Sequence, residues 1–287
     1  MTRSGSPGRP WAYSAFPVVV ARKTRLSPGF IRITFSGASL RHFAPWGLDQ
    51  RIKLVLPMPD GTRPDFGLLE EPTPHPQQWY ARWKTLPEQC RNVLRTYTPA
   101  AVRPEDCEID VDLFIHQPAG PASLWAESCP IGEELVITGP DIRVGHTGYG
   151  IHYAPPAPPT RVLLIGDETA LPAISNILAR TPDTVPAEVF LELADPRDNT
   201  LPPLSPAARL HLIDRAGPPG AGLDQAVREW GARHGGTLVE VPGTYAWIAG
   251  EAKTTTQIRR HLSTTLALPK EQIAFLGYWR LGGPLVG

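Results

Sequence analysis

Residues 153–160 read YAPPAPPT, and the grammar of the sequence changes across them. A stretch so rich in proline is stiff and extended and continues neither a helix nor a central strand, so it marks a domain boundary. Before it, from about residue 16 to 140, the apolar runs are short and broken by turns: FPVVVARK, FIRITFSG, RIKLVLP, LRTYTPA, EIDVDLFIH and EELVITG. They are rich in β-branched residues, alternate in part, and have little of helical period between them, which predicts a six-stranded antiparallel β-barrel. After the boundary, RVLLIG is a continuous apolar run suited to a strand buried on both faces. A helix over 168–180 is expected next, with Pro172 in its first turn. Strands AEVFLELA and ARLHLI, a helix near 222–234, strands TLVEV and YAWIAG, a helix over about 252–268 and a last strand IAFLGYW complete the pattern. Ile258, Leu262 and Leu266 recur every four residues in that last helix and give it one apolar stripe. Such alternation predicts an α/β domain with a parallel sheet. The expected division is 1–152, a linker at 153–160, and 161–287. The Pro-rich segment 58–93, with a short helix over 77–85 (QQWYARWKT), is read as an insertion over one face or mouth of the barrel.

Composition removes several function classes. Gly and Pro make up 60 of 287 residues, below the ~25–30% at which a chain looks disordered. The start, MTRSGSPGRPWAYS, has no apolar core of a signal peptide, and FPVVVA is cut short by Arg22 and Lys23. No run approaches a membrane span, so no membrane insertion and a cytoplasmic location are expected. Three cysteines, Cys90, Cys107 and Cys129, without a CxxC pair, argue against a disulfide framework, an iron–sulfur cluster and a zinc site. The histidines show no HxxxH or HExxH spacing, so redox chemistry here needs an organic cofactor and no metal ligand is assigned. Net charge is zero, but residues 1–53 carry nine Lys or Arg (including Arg3 and Arg9) against one acid, Asp49. That asymmetry points to an anionic partner or to a basic tail and solvated strand faces. Nucleic acid is not expected, because no lysine-rich or aromatic-interleaved basic run is present.

Three motifs carry candidate chemistry. Along a strand, Arg95 and Tyr97 of RTYT share one face, and Thr96 and Thr98 the other. A flavin nucleotide needs a cation for phosphate, an aromatic face for its ring and small hydrogen-bonding groups at its edge; a barrel strand with a core Tyr offers the same letters. In DVDLFIHQPAGPAS, the strand gives way to a turn that opens a helix, whose N–H groups, with the Ser123 hydroxyl, suit a diphosphate; His116 stands at the strand end. In RVLLIGDETALPAISNIL, a buried strand, a glycine and three polar residues precede a helix, at the place where a doubly wound sheet binds nucleotides. It lacks GxGxxG, and Asp167-Glu168-Thr169 also reads as an ordinary helix cap.

A flavin barrel followed by a nucleotide-binding α/β domain is the plan of ferredoxin-reductase-like flavoenzymes. Within that plan the chain resembles the siderophore-interacting proteins, FAD-dependent ferric-siderophore reductases. RTYT, His116 with GPASxW, GDETALPAI (166–174), WIAGEA (247–252) and the terminal GYWR carry the likeness over about residues 15–282. The resemblance implies that Arg95 binds FAD phosphate, Tyr97 stacks on the isoalloxazine, Thr98 meets its reactive edge, and His116, Ala122 and Ser123 hold the rest. It implies that Asp167, Glu168, Thr169 and Glu251 border a site for NADPH or NADH. Tyr278 and Trp279 would cover the flavin or gate the nicotinamide, or simply pack the C-terminus. Lys53 matches a basic strand position facing the substrate, with Arg143, Lys253 and Arg280 as further candidates. The implied partner is an anionic ferric siderophore of catecholate or mixed type, and a monomer is expected. Two alternatives stay open: a flavin reductase for another acceptor, and a non-catalytic siderophore-binding protein. The chain departs from the family's habit where Pro99-Ala100, not a second Arg, follow RTYT, in a longer 58–93 segment, and in a short tail after Arg280.

Overall fold

The computed structural model describes residues 12–62, 64–240 and 242–282, in two units. One runs to Ile151 without Ser27–Gly29; the other takes those three residues and continues from His152. Arg3 and Arg9 of the basic N-terminal segment, Val241 of TLVEV and residues 283–287 of the tail lie outside the described residues.

The first unit holds β1 (Tyr13–Arg25), β2 (Phe30–Ser36), β3 (Ile52–Val55), α1 (Pro76–Thr85), β4 (Leu94–Tyr97), β5 (Pro99–Arg103), β6 (Glu108–Phe114), α2 (Pro121–Ser128) and β7 (Glu134–Pro140). Its antiparallel sheet has seven strands, in the order β4-β3-β7-β1-β2-β6-β5, rather than the six expected. The extra strand comes from LRTYTPA, which breaks at Thr98. Tyr97 ends β4 on one edge of the sheet, and Pro99 begins β5 on the other. A chain with one residue between those two spans only about 7 Å, so the sheet must curl into a half-barrel that brings its edges together there. Pro99 costs the ladder little, because it opens an edge strand.

Alternation sorts the two faces. Phe16, Val18 and Val20 of β1 join Ile33, Ile52, Leu54, Ile109, Val111 and Ile137 in the barrel core, closed by Ala122, Ala126 and Cys129 of the α2 region. The residues between them, Ala15, Val55 and Val136, face outward and meet Phe66, Leu68 and Trp79 of segment 58–93. The segment therefore covers the outer face of β1, β3 and β7. It is fastened by Asn92, whose Nδ2 donates to the Leu56 carbonyl at 2.8 Å, while its own carbonyl accepts from Trp83 Nε1 at 3.1 Å.

The second unit holds β8 (Arg161–Asp167), α3 (Leu171–Leu178), β9 (Ala187–Leu193), β10 (Ala208–Asp214), α4 (Ala221–Glu240), β11 (Thr244–Glu251), α5 (Ala252–Arg260) and β12 (Ile273–Trp279). Its parallel sheet has the order β10-β9-β8-β11-β12, so the connection reverses direction between β8 and β11. The 153–160 stretch packs within this unit: Ala154 N donates to Tyr245 Oη at 3.2 Å, and Thr160 N to the Gly243 carbonyl at 2.9 Å. Residues 237–240 of the expected strand TLVEV are instead the last turn of α4. Leu223, Val227, Trp230 and Leu238 are buried in one core at helical spacing, and that stripe overrides the β-branched letters. The helix expected over 252–268 is α5 followed by a π turn at His261–Thr265; Ile258, Leu262 and Leu266 form its buried stripe. Residues 168–180 open with a 3₁₀ turn, Glu168–Ala170, before α3.

Candidate functional site

In the first unit the candidate residues gather where β4 crosses to β5 and where α2 begins. β4 pairs with β3 so that Tyr97 lies opposite Ile52 and Arg95 opposite Leu54, while Thr96 lies opposite Lys53. Arg95 and Tyr97 thus share the core-facing side, and Lys53 shares the outer side with Thr96, to whose Oγ1 its Nζ donates at 3.1 Å. β4 is an edge strand of four residues, so its two faces meet at the edge. Tyr97 packs half-buried against the core, and burial pushes its phenol up to about 12 against the pull of Arg95. The Arg95 guanidinium is half-exposed and donates to the Leu94 carbonyl. Thr98 is buried at the crossing. Burial, and then the neighbouring Arg51, hold the Lys53 ammonium below its ordinary value.

Gly120 precedes α2 and offers no side chain to cap it, Pro121 fills the first helical position, and open space lies where a side chain on Gly120 would stand. The N–H groups of Ala122 and Ser123 head the helix without a side-chain cap. Ser123 is buried, and its Oγ accepts from His116 N at 3.1 Å, which ties the end of β6 to the helix start. The His116 ring meets Phe114 edge-on at 5.1 Å. His116, Ala122 and Ser123 therefore come together as the sequence suggests. Arg143 does not join them: its guanidinium is fixed on the fully buried Asp141, with Nη2 to Oδ2 at 2.6 Å.

In the second unit the motif acids converge at the carboxyl end of the sheet. Gly166 is required there, since a Cβ would stand 2.4 Å from that of Ala170 and 2.9 Å from the Ala249 carbonyl oxygen. Gly250, at φ +144°, lets the backbone pass Asp167, whose Oδ2 would lie 2.5 Å from an added Cβ. Asp167 is buried and accepts four hydrogen bonds: from Thr169 N at 3.0 Å, Thr169 Oγ1 at 2.5 Å, Glu251 N at 3.1 Å and Trp279 Nε1 at 2.8 Å. Burial, followed by the adjacent Glu168 charge, pushes its carboxyl up to about 6 despite those donors. Glu251 caps α5, accepting from Thr254 N at 2.8 Å and Thr254 Oγ1 at 3.1 Å. Tyr278 meets Trp247 edge-on at 6.3 Å, while Lys253 and Arg280 are exposed.

Sequence reasoning missed two anchors here and one in the first unit. Arg215 grips Glu168 with both Nη atoms and reaches Glu192 Oε2 through Nε at 3.1 Å. Glu192 in turn accepts from Gly220 N at 2.7 Å and Leu223 N at 3.2 Å, capping α4. The available signal was Glu192, the second of two Glu in AEVFLELA, flanked by Leu191 and Leu193, because a doubly covered strand does not bury a carboxylate without partners. The third is Arg51, whose buried Nε has no hydrogen-bond partner.

A curled antiparallel sheet followed by a parallel sheet of order 3-2-1-4-5 defines a ferredoxin-reductase-like fold. The siderophore-interacting FAD-binding domain matches residues 19–144, and the siderophore-interacting protein pattern matches residues 159–282. The chain belongs to the siderophore-interacting protein family. It is 30% identical over 217 residues to the mycobactin import ATP-binding/permease protein IrtA of Mycolicibacterium smegmatis, covering 75% of this chain but only 23% of that protein. It is 24% identical to the ferric vibriobactin reductase ViuB of Vibrio cholerae, over 91% of this chain and 88% of that one. Among solved structures, a siderophore utilization protein from T. fusca superposes with a TM-score of 0.75 at 22% identity, covering 96% of this chain and 97% of the other. Among the described residues no helix is long and apolar enough to cross a membrane.

Proposed function

We propose that this protein is a ferric-siderophore reductase: electrons from NADPH or NADH pass through FAD to siderophore-bound iron(III), and iron is released as iron(II). The observation that carries the reading is the crossing at Thr98, which sets the Arg95–Tyr97 strand on a sheet edge in the same unit as the uncapped start of α2. The residues present fit a flavin dinucleotide: open space beside Gly120, free N–H groups at Ala122 and Ser123, a half-exposed cation at Arg95 and a half-buried aromatic at Tyr97. The likeness to a protein named ferric vibriobactin reductase supports the choice of acceptor.

Bound FAD supplies the conversion of a two-electron hydride into single electrons. Everything else is positioning. Arg95 and the α2 N–H groups neutralise the diphosphate. Tyr97 presents its ring to the isoalloxazine with a phenol that stays protonated, and His116, held through the Ser123 hydroxyl, lines the same pocket. In the 161–287 domain, Asp167, Glu168, Thr169 and Glu251 shape the nicotinamide border, and Trp279 is clamped to it through Asp167. Lys53, with Arg143, Lys253 and Arg280 as lesser contributors, attracts an anionic catecholate or mixed chelate. No acid, base or nucleophile is required of the protein. We place the protein in the cytoplasm, as a monomer.

The test is anaerobic turnover of flavin-loaded protein with a ferric siderophore and an iron(II)-trapping chelator. NADPH or NADH should be consumed with two iron(II) trapped per nucleotide. Flavin reduction by nucleotide without trapped iron(II) would transfer the reading to another acceptor, and a protein that takes up no FAD would leave only siderophore binding.

A further inference from the structure

Beneath segment 58–93, in the first unit, lies a half-open cavity of about 600 Å³. Its floor is the outer face of β1, β7 and β3, with Pro17, Val19, Val55 and Val136, and its roof is Phe66 and Leu68. A half-open, largely apolar hollow of this volume falls in the size range of small-molecule sites. The roof residues Phe66 and Leu68 pack with Trp79, and the Phe66 and Trp79 rings lie 6.1 Å apart.

What lies beside the cavity gives the ligand its chemistry. The outward positions of β3 are Lys53 and Val55, with Arg51 just before the strand, so the cavity wall at Val55 begins about 7 Å along the strand from Lys53. Lys53 has no carboxylate partner among the described residues, and burial, followed by the charge of Arg51, holds its ammonium below the ordinary value. Arg51 Nε is buried with no acceptor. The acids on the cavity wall are Asp65, beside Phe66, and Glu134, which lies in the far row opposite Val19. The face therefore sets two under-neutralised cations beside an apolar chamber that has acids on its wall.

We infer that this cavity receives the hydrocarbon tail of an amphiphilic ferric chelate whose anionic head lies against Arg51 and Lys53. The inference rests on the siderophore reading above and narrows it to a substrate class. Head and tail occupy neighbouring positions on one sheet face, with Lys53 and Val55 two residues apart on β3, and the acids of the cavity wall disfavour the reverse orientation.

The experiment uses intact flavin-loaded protein and two ferric chelates with the same anionic catecholate head, one carrying a linear acyl chain and one without it, compared by titration calorimetry below the micelle concentration. The acylated chelate should bind at least tenfold more tightly. Val19→Trp, which fills the chamber from a half-buried outward position, should cut that advantage below threefold and leave the tail-free chelate unchanged. Leu69→Arg, at a cavity-wall position already 53% exposed, should do the same if the bulkier variant misfolds. Lys53→Gln should weaken both chelates alike. Equal binding of the two chelates, or a tail advantage that survives both variants, overturns the inference and spares the siderophore reading. Failure of both chelates to bind removes that reading as well. A tail-independent change of oligomeric state on filling the chamber would make it a contact between copies and likewise overturn the inference.

Discussion

The two units handle charge in opposite ways. At the β3–β4 edge of the first, Arg51, Lys53 and Arg95 are cations without carboxylate partners among the described residues, and Tyr97 is only half covered. At the carboxyl end of the second sheet every motif acid is already engaged: Asp167 by four donors, Glu168 and Glu192 by Arg215, Glu251 by the start of α5. The first surface is under-neutralised and ready for anions. The second is a finished hydrogen-bond lattice, whose acids set backbone shape before any nucleotide arrives. Residues of the same apparent rank in a motif therefore do different work, and substitutions should separate them: stability should fall in the second unit, affinity in the first.

The largest effect is expected at Arg215. Its Ala variant would leave Glu168 and Glu192, 2% and 1% exposed, without their cation. Breaking a buried pair from one side costs about 3–5 kcal/mol. Urea unfolding followed by far-UV circular dichroism should show the second unit melting early, with the flavin absorbance of the first retained. An Arg215→Ala protein as stable as the parent would mean that the lattice is not what holds those acids.

A smaller effect follows from Asp167. Its native pKa near 6 lies above the usual carboxylate value, so below about pH 4 both states are protonated and the native state keeps its full advantage. As pH rises from about 4 to 6 the unfolded chain gives up its proton first, and stability is lost, reaching a plateau above 6. Two pH units at 1.36 kcal/mol each give up to about 3 kcal/mol for this group. Asp167→Asn should flatten that slope in unfolding measured across pH 4–7, at the cost of a carboxamide facing four donors. A slope unchanged by the substitution would assign the titration elsewhere.

How much of this was legible in the letters depends on whether a feature is local. The RTYT strand and the Gly166–Thr169 turn are short-range patterns, and each predicted its element. The seventh strand was not, because the break at Thr98 exists only once the sheet curls and its edges meet. TLVEV read as a strand because β-branched residues favour one, yet Leu238 continues the apolar stripe of α4, and packing decided the outcome. Arg215 was invisible for another reason: it is 47 residues from Glu168 and 23 from Glu192, and no spacing rule links the ends of three parallel strands. Arg143 shows the converse: its ion pair with Asp141, two residues earlier, is a local contact that the sequence reading did not name.

In the first unit, Tyr97→Ala should leave stability near that of the parent, because the ring is half-exposed at an edge strand. It should weaken FAD by about tenfold or more, as expected for loss of a stacked aromatic surface. Fluorescence titration of apoprotein with FAD measures it, and Tyr97→Phe should restore binding, since the phenol is not asked to ionise. Parent-like affinity in the Ala variant would detach Tyr97 from the flavin and erase the contrast between the units.

The smallest effect, and the finest probe of the contrast, belongs to Lys53. A half-exposed cation facing water is screened, so removing it should cost only about threefold to tenfold in kcat/KM for an anionic ferric chelate. The signature lies in how the loss appears. Lys53→Gln should raise KM while kcat is kept, and the gap between variant and parent should close as ionic strength rises from about 0.05 M to 0.5 M, where the Debye length falls well below the reach of the side chain. The same substitution should leave the flavin spectrum and thermal midpoint in place, because Lys53 gives its only side-chain hydrogen bond among the described residues to Thr96 on the exposed edge. A loss that appears in kcat and ignores salt would mean that Lys53 orders the β3–β4 pair for the flavin. The first unit would then be a lattice like the second.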